Sequence, residues 1–97
     1  MKLTKLMSDL VKRNGSDLHL TGNSVPFFRV QGQIIPADSE IFSSAELKDQ
    51  LTKILGGEKM VNFEKEKELD CSYGLKGIAR FRINIFFDRG NISCVMR

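Results

Sequence analysis

The stretch GIARFRINIFF, residues 77–87, decides the fold of this chain. Its apolar side chains fall on every second position, which is the period of a strand with one buried face. These inward positions are Ala79, Phe81, Ile83, Ile85 and Phe87. Arg80, Arg82 and Asn84 therefore share the opposite face. A second apolar run at 92–97 follows a turn-rich interval at 88–91 and predicts a hairpin.

The register of this hairpin places two arginines side by side. A two-residue loop at 89–90 and a four-residue loop at 88–91 give the same register. In that register Arg82 lies directly opposite Arg97, and Arg80 lies one diagonal away. Like charges that face each other across a sheet destabilise it. The pattern therefore predicts that this arginine face is presented to an anion.

Length and composition indicate one soluble globular domain, with 97 residues, 41% hydrophobic and 28% charged. The formal charge of +3 is too weak to imply nucleic acid, because acidic and basic residues alternate at 64–68 instead of separating. No apolar stretch has membrane-spanning length, and residues 1–5 do not lead into a signal-peptide core. Cys71 and Cys94 lack metal-ligand spacing and predict two reduced thiols, unless their strands are neighbours and form a disulfide.

The rest of the chain contains patterns for three helices and four further strands. Helical spacing of apolar residues predicts a first helix. Its apolar positions are Leu3, Leu6, Met7, Leu10 and Val11. Alternation predicts strands at 17–21, from Phe27 to a tight turn at Gln31-Gly32, and at 33–36.

A capping box at residues 43–46 predicts the start of the second helix, which ends at Gly56-Gly57. Its apolar stripe is Leu47, Leu51, Ile54 and Leu55, and a third helix at 58–67 has Met60, Val61 and Phe63 as anchors. A short strand at 70–73 precedes the hairpin. Helices grouped between runs of antiparallel strands predict an α+β domain with helices on one sheet face.

No catalytic constellation is present in the sequence. Asp17 lies two residues before the single histidine, His19, and a His–carboxylate pair can serve as a base and its orienting group. No nucleophile or metal-ligand cluster accompanies the pair, so a structural role is favoured. The chain has no G-x-x-x-x-G-K-[ST] loop and therefore does not hydrolyse a nucleotide by itself.

Five segments in the same order resemble one known family. They are GSDLHL at 15–20, PFFRVQG at 26–32, ELDCSY at 68–73, ARFRIN at 79–84 and VMR at 95–97. Together they resemble the PAS-like N-terminal domain of the GspE/PilT superfamily of secretion and pilus ATPases, and within it the PilT-type retraction motors of type IV pili. The resemblance covers essentially the whole chain. It implies a PAS-like antiparallel sheet of about five to six strands.

The resemblance also implies a role within a larger ATPase. A RecA-like domain that binds ATP and Mg would follow residue 97, and the domain at 1–97 would hold no cofactor of its own. Hexamers of the family pack this domain against the RecA-like domain of the next subunit, in the cytoplasm at the inner face of the bacterial membrane. Arg82 and Arg97 match family arginines that reach the terminal phosphates of the nucleotide, with Arg80 as a further candidate.

The same resemblance assigns Asp17, His19 and Arg29 to the interface or to structural roles, and assigns no residue to catalysis or to metal binding. It implies pilus retraction, hence twitching motility, with the pilus inner-membrane platform protein as a partner and no nucleic acid.

Two other functions remain open from the sequence. A free-standing PAS-like ligand sensor would need a cavity inside its core. A small nucleic-acid-binding module would use the arginine face, with Phe27 or Phe28 stacking on bases.

Overall fold

A computed structural model describes residues 1–37 and 40–97. Its elements are α1 (Lys2–Lys12), β1 (Asp17–Thr21), β2 (Phe27–Val30), β3 (Gln33–Pro36), α2 (Ser44–Leu55), α3 (Gly57–Glu66), β4 (Glu68–Leu75), β5 (Ala79–Asp88) and β6 (Asn91–Met96). The predicted order of one helix, three strands, two helices and three strands is confirmed. β4 is longer at both ends than the predicted strand at 70–73.

The six strands form one antiparallel sheet in the order β3-β2-β1-β6-β5-β4. The first and last strands of the chain are therefore neighbours at the centre of the sheet. β5 and β6 pair in the predicted register, and Arg82 and Arg97 exchange both backbone hydrogen bonds, with N···O distances of 3.0 and 2.9 Å. The facing position of the two arginines is thus confirmed.

Local hydrogen bonds explain where α2 begins and ends. The Ser43 hydroxyl accepts a hydrogen bond from the backbone N–H of Glu46 at 3.0 Å, as the capping box predicts. The Glu46 carboxylate lies 3.8 Å from the Lys2 ammonium, which ties α2 to α1. Gly56 has φ = 96°, a conformation that favours glycine, and separates α2 from α3.

The core lies between the three helices and one face of the sheet. Its largest fully buried side chains are Phe28, Phe42, Phe63, Leu3, Met7, Leu18, Leu20, Leu47, Leu51, Ile83, Ile85 and Met96. The prediction that Val61 anchors α3 in the core is wrong, because this side chain lies on the outer side of α3 and is 66% exposed. Phe87 is 40% exposed, because it lies at the end of β5 and stacks on Phe63 at the rim, with ring centroids 4.8 Å apart. Val11 is also exposed.

Gly22 allows the end of β1 to approach the start of α2. A Cβ atom at this position would lie 2.2 Å from the Ser44 hydroxyl oxygen and 2.9 Å from the Ser44 Cα. The second distance involves the backbone, so rotation of the serine side chain does not relieve it. The absence of a side chain at Gly22 therefore fixes how closely α2 packs on the sheet.

We expect Gly22→Ala to lower the free energy of unfolding by about 1–3 kcal/mol, because the added methyl group overpacks a closed contact. Gly57→Ala is the matched control. An added Cβ there meets no atom within 4 Å, and Gly57 lies in α3. The control should be neutral or stabilising by up to about 1 kcal/mol. Urea denaturation of the three proteins checks both values, and equal stability of Gly22→Ala and the wild type would contradict the packing argument.

Candidate functional site

The face of the sheet opposite the helices carries charged side chains, four of which follow one another across β1, the end of β6, β5 and β4. We call Asp17, Arg97, Arg82 and Asp70 the charged row. Asp17 lies on β1, Arg97 directly follows β6, Arg82 lies on β5 and Asp70 on β4. The β1–β6 register aligns Leu18 with Met96, so the next step places Asp17 beside Arg97. Read across the sheet, the charges are negative, positive, positive and negative.

Arg82 and Asp70 form a bidentate ion pair. The Arg82 Nη2 lies 2.9 Å from Asp70 Oδ2, and its Nε lies 3.3 Å from Oδ1. These hydrogen bonds hold the pKa of Asp70 below its usual range, because they stabilise the carboxylate form. Both side chains remain well exposed, at 71% for Arg82 and 48% for Asp70. Solvent therefore screens the pair, and its net contribution to stability is small.

Asp17 lies between two arginines and is the least exposed member of the row. Its Oδ1 lies 3.4 Å from Arg97 Nε, and its Oδ2 lies 3.9 Å from Arg29 Nε. The Ser16 hydroxyl lies 3.4 Å from Oδ2 and 3.3 Å from the Arg29 carbonyl oxygen, and its single proton is shared between these two acceptors. The Asp17 side chain is 16% exposed, against 57% for Arg97. Arg29, a predicted interface residue, thus takes part in the same ionic contact from β2.

Arg80 lies on the same face but makes a different contact. It pairs with Gly74 on β4 and lies two residues closer than Arg82 to the turn between β4 and β5. Its Nη2 donates a hydrogen bond to the Ser72 hydroxyl at 3.2 Å. Arg80 is therefore held by a neutral group instead of a carboxylate.

The two carboxylates change the prediction drawn from the facing arginines. From the sequence, Arg82 and Arg97 are predicted to be a like-charge pair without compensation, and Asp70 is not among the predicted site residues. In the structure each arginine has a carboxylate on its outer side. The signal for Asp70 was available, because it alternates with Ser72 on a strand next to Arg82. The Asp17–Arg97 contact requires the β1–β6 pairing, which no local pattern indicates.

His19 stacks on Phe27 beside the charged row. The ring centroids are 4.6 Å apart and the rings are nearly parallel, at 8°. Partial burial is the main cause that lowers the pKa of His19 from 6.5, and the charges of Arg29 and Arg97 act in the same direction. Asp17 opposes them. The two stacked rings lie close to Arg29 and Arg97.

The two cysteines lie on the helix-covered side. Cys71 is on β4 and Cys94 on β6, so β5 separates them, and both thiols are free. Burial raises the pKa of each thiol. Among residues 1–37 and 40–97, no group of three or more His, Cys, Asp or Glu side chains is arranged to hold a metal ion. Within the same ranges, no helix is both long and apolar enough to cross a membrane.

Comparison with known proteins identifies relatives over the whole chain. No family model matches. Two curated proteins of Pseudomonas aeruginosa match all 97 residues, the type IV pilus ATPase PilU at 26% identity and the type IV pilus retraction ATPase PilT at 29%. The chain spans 25% of the length of the first and 28% of the second.

Solved structures show the same fold. The pilus retraction motor PilT with bound ADP superposes with a TM-score of 0.84 at 23% identity, over 96% of this chain and 27% of that one. The Legionella pneumophila ATPase DotB gives a TM-score of 0.83 at 21% identity, over 98% of this chain and 27% of that one. The α+β class and the antiparallel sheet predicted from the sequence are confirmed. In sequence the chain is similar to PilT-type ATPases over its whole length, and its fold is that of the matching part of the solved PilT and DotB structures.

The lowered pKa of His19 predicts a pH dependence of stability. The unfolded chain binds the imidazole proton more tightly than the folded chain, so the free energy of unfolding decreases as the pH falls through about 6.5. His19→Gln should remove this component, because His19 is the single histidine. Urea denaturation at pH values of about 7.5 and 5.5 measures it. The wild type should lose more stability between them than the variant, and equal losses would show that His19 titrates as in the unfolded chain.

Proposed function

We propose that this chain is the regulatory and interface domain of a hexameric ATPase that powers pilus retraction and hence twitching motility. The match to PilU and PilT over the whole chain supports this function. The chain spans about a quarter of those relatives, so the nucleotide-hydrolysing machinery would lie in the rest of the protein. The protein would act in the cytoplasm, at the inner face of the membrane, with the inner-membrane platform protein as its partner.

The observation that carries the site proposal is the adjacency of Arg82 and Arg97. Their backbones are joined by two hydrogen bonds, and both guanidinium groups are exposed on the open face. A guanidinium donates paired hydrogen bonds whose geometry fits phosphate oxygens. We assign these two residues to sensing the terminal phosphates of ATP bound between subunits, with Arg80 as a further candidate. Magnesium and the phosphate-binding backbone would be supplied by the RecA-like domain.

Asp17, His19 and Arg29 would form the adjoining interface. His19 and Phe27 stack on each other, and Arg29 and Asp17 form an ion pair close by. Such a mixture of aromatic and arginine side chains is typical of protein interfaces. The neighbouring RecA-like domain of the homohexamer is the proposed partner.

The two other functions have less support. Phe28 is fully buried, so it does not stack on bases, and Phe27 is already stacked by His19. A ligand-sensing domain would need room inside the core, whereas the described core positions are filled by fully buried side chains, among them Phe28, Phe42 and Phe63.

We expect Arg82→Ala and Arg97→Ala in the full-length protein each to reduce ATP turnover by about 10³-fold, the scale of an arginine finger. Lys53→Ala is the matched control, because it removes a positive charge from an exposed ion pair on α2. The control should turn over ATP as the wild type does. Steady-state ATPase assays on protein of verified oligomeric state measure these turnover rates. Normal turnover in both arginine variants would refute the sensing role.

The isolated chain should bind ATP more weakly than about 10 μM, because that affinity requires roughly 7 kcal/mol from a site that holds only the arginines. Titration calorimetry on the 97-residue chain tests this. Tighter binding would mean that the domain contains a nucleotide site of its own.

A further inference from the structure

The two central arginines of the charged row are each held by a carboxylate on the strand outside them. Arg97 contacts Asp17 on β1, and Arg82 contacts Asp70 on β4. Because β1 and β4 flank the β6–β5 pair, the two ion pairs direct the guanidinium groups away from each other. An anion that bridges the arginines has to reverse this arrangement.

The two ion pairs occupy different parts of each guanidinium. Arg82 uses Nε and Nη2 on Asp70, which leaves Nη1. Arg97 uses Nε on Asp17, and within the described residues its two terminal nitrogens have no hydrogen-bond acceptor. The terminal nitrogens of Arg97 can therefore donate to a phosphate while Nε stays near Asp17. Arg82 has to break its bidentate contact with Asp70 before it can donate two hydrogen bonds to a phosphate through Nε and Nη2.

We propose that Asp17 and Asp70 are the resting partners of Arg97 and Arg82, and that they compete with phosphate for the two arginines. The proposal rests on the sensing role proposed above and adds its regulation. The carboxylates limit which anions can bind between the arginines. Only an anion with enough negative charge to replace both carboxylates brings the two guanidinium groups together. Asp17 and Asp70 are positioning residues in this scheme and do not contact the phosphate.

The surroundings of each carboxylate allow the exchange. Asp70 is 48% exposed, so water solvates it when Arg82 leaves, and an exposed pair of this kind shifts an equilibrium by no more than about fivefold. Asp17 is only 16% exposed, and a partly buried carboxylate without a partner is costly. Arg29 remains beside its Oδ2 when Arg97 leaves. Arg29 therefore acts as the second counter-ion that frees Arg97.

The test uses the 97-residue chain and inorganic tripolyphosphate as the probe, followed by NMR of the arginine Nε–Hε groups. Asp70→Asn should increase the affinity by about three- to fivefold and Asp17→Asn by about three- to tenfold, since each removes a competing charge close to the arginines. Asp49→Asn is the matched control, because it removes a carboxylate from the exposed Lys53 pair on α2 and changes the net charge equally. The control should change affinity by less than about twofold.

Two results would overturn the inference. In the first, Asp70→Asn and Asp17→Asn bind tripolyphosphate no more tightly than Asp49→Asn does. This result includes the case in which none of the variants binds the probe at the arginines. The other is an affinity gain that persists after Arg82→Ala or Arg97→Ala, because the probe would then bind elsewhere. Asp70 is well exposed, so Asp70→Asn is expected to fold. If Asp17→Asn does not fold, the affinity of Asp70→Asn for tripolyphosphate is sufficient for the test.

Different measurements distinguish a failure of the proposed phosphate sensing from a failure of the proposed competition. Normal ATP turnover of the full-length Arg82→Ala and Arg97→Ala proteins refutes phosphate sensing, even if tripolyphosphate titrations show competition. Lost turnover in those proteins, with no affinity gain in the carboxylate variants, refutes the competition and leaves sensing in place.

Discussion

The pairing of β1 with β6 is the interaction on which the other features of this domain depend. It joins the first strand of the chain to the last, with Leu18 beside Met96 and Leu20 beside Cys94. It unites a three-stranded unit from each half of the chain into one sheet, and α1 and α2 then share a single core beneath it. Contacts this distant in sequence carry a loop-closure entropy cost, and they form only when most of the chain is present.

Pairing at the centre also resolves an electrostatic conflict. The β5–β6 hairpin alone would leave Arg82 and Arg97 facing each other as like charges. β1 brings Asp17 to one side and β4 brings Asp70 to the other, so the row as a whole is neutral. Positive charge at the centre of the open face is thus compatible with a stable sheet.

Local patterns in the sequence predict the elements well and predict their surroundings less well. Strict alternation along β5 and the turn at 89–90 were sufficient to place Arg82 opposite Arg97. Periodicity failed at Val61 and Phe87, because it reports which face a residue shares and not whether the element continues over the core at that point. The alternation of Asp70 with Ser72 places it on the arginine face, but its pairing with Arg82 depends on the register of β4 with β5. The Asp17–Arg97 contact depends on two strands from opposite ends of the chain.

The position of each strand in the sheet gives the two carboxylates different dynamics. β1 is paired on both sides, whereas β4 is an edge strand that is paired with β5 alone. Amides of central strands exchange with solvent mainly when the whole domain unfolds, while edge strands open locally at a lower free energy. Asp17 therefore lies on a strand that is hydrogen-bonded on both sides, and Asp70 lies on a strand that is hydrogen-bonded on one side only. The two halves of the charged row should then rearrange on separate timescales, with the β4 side responding first.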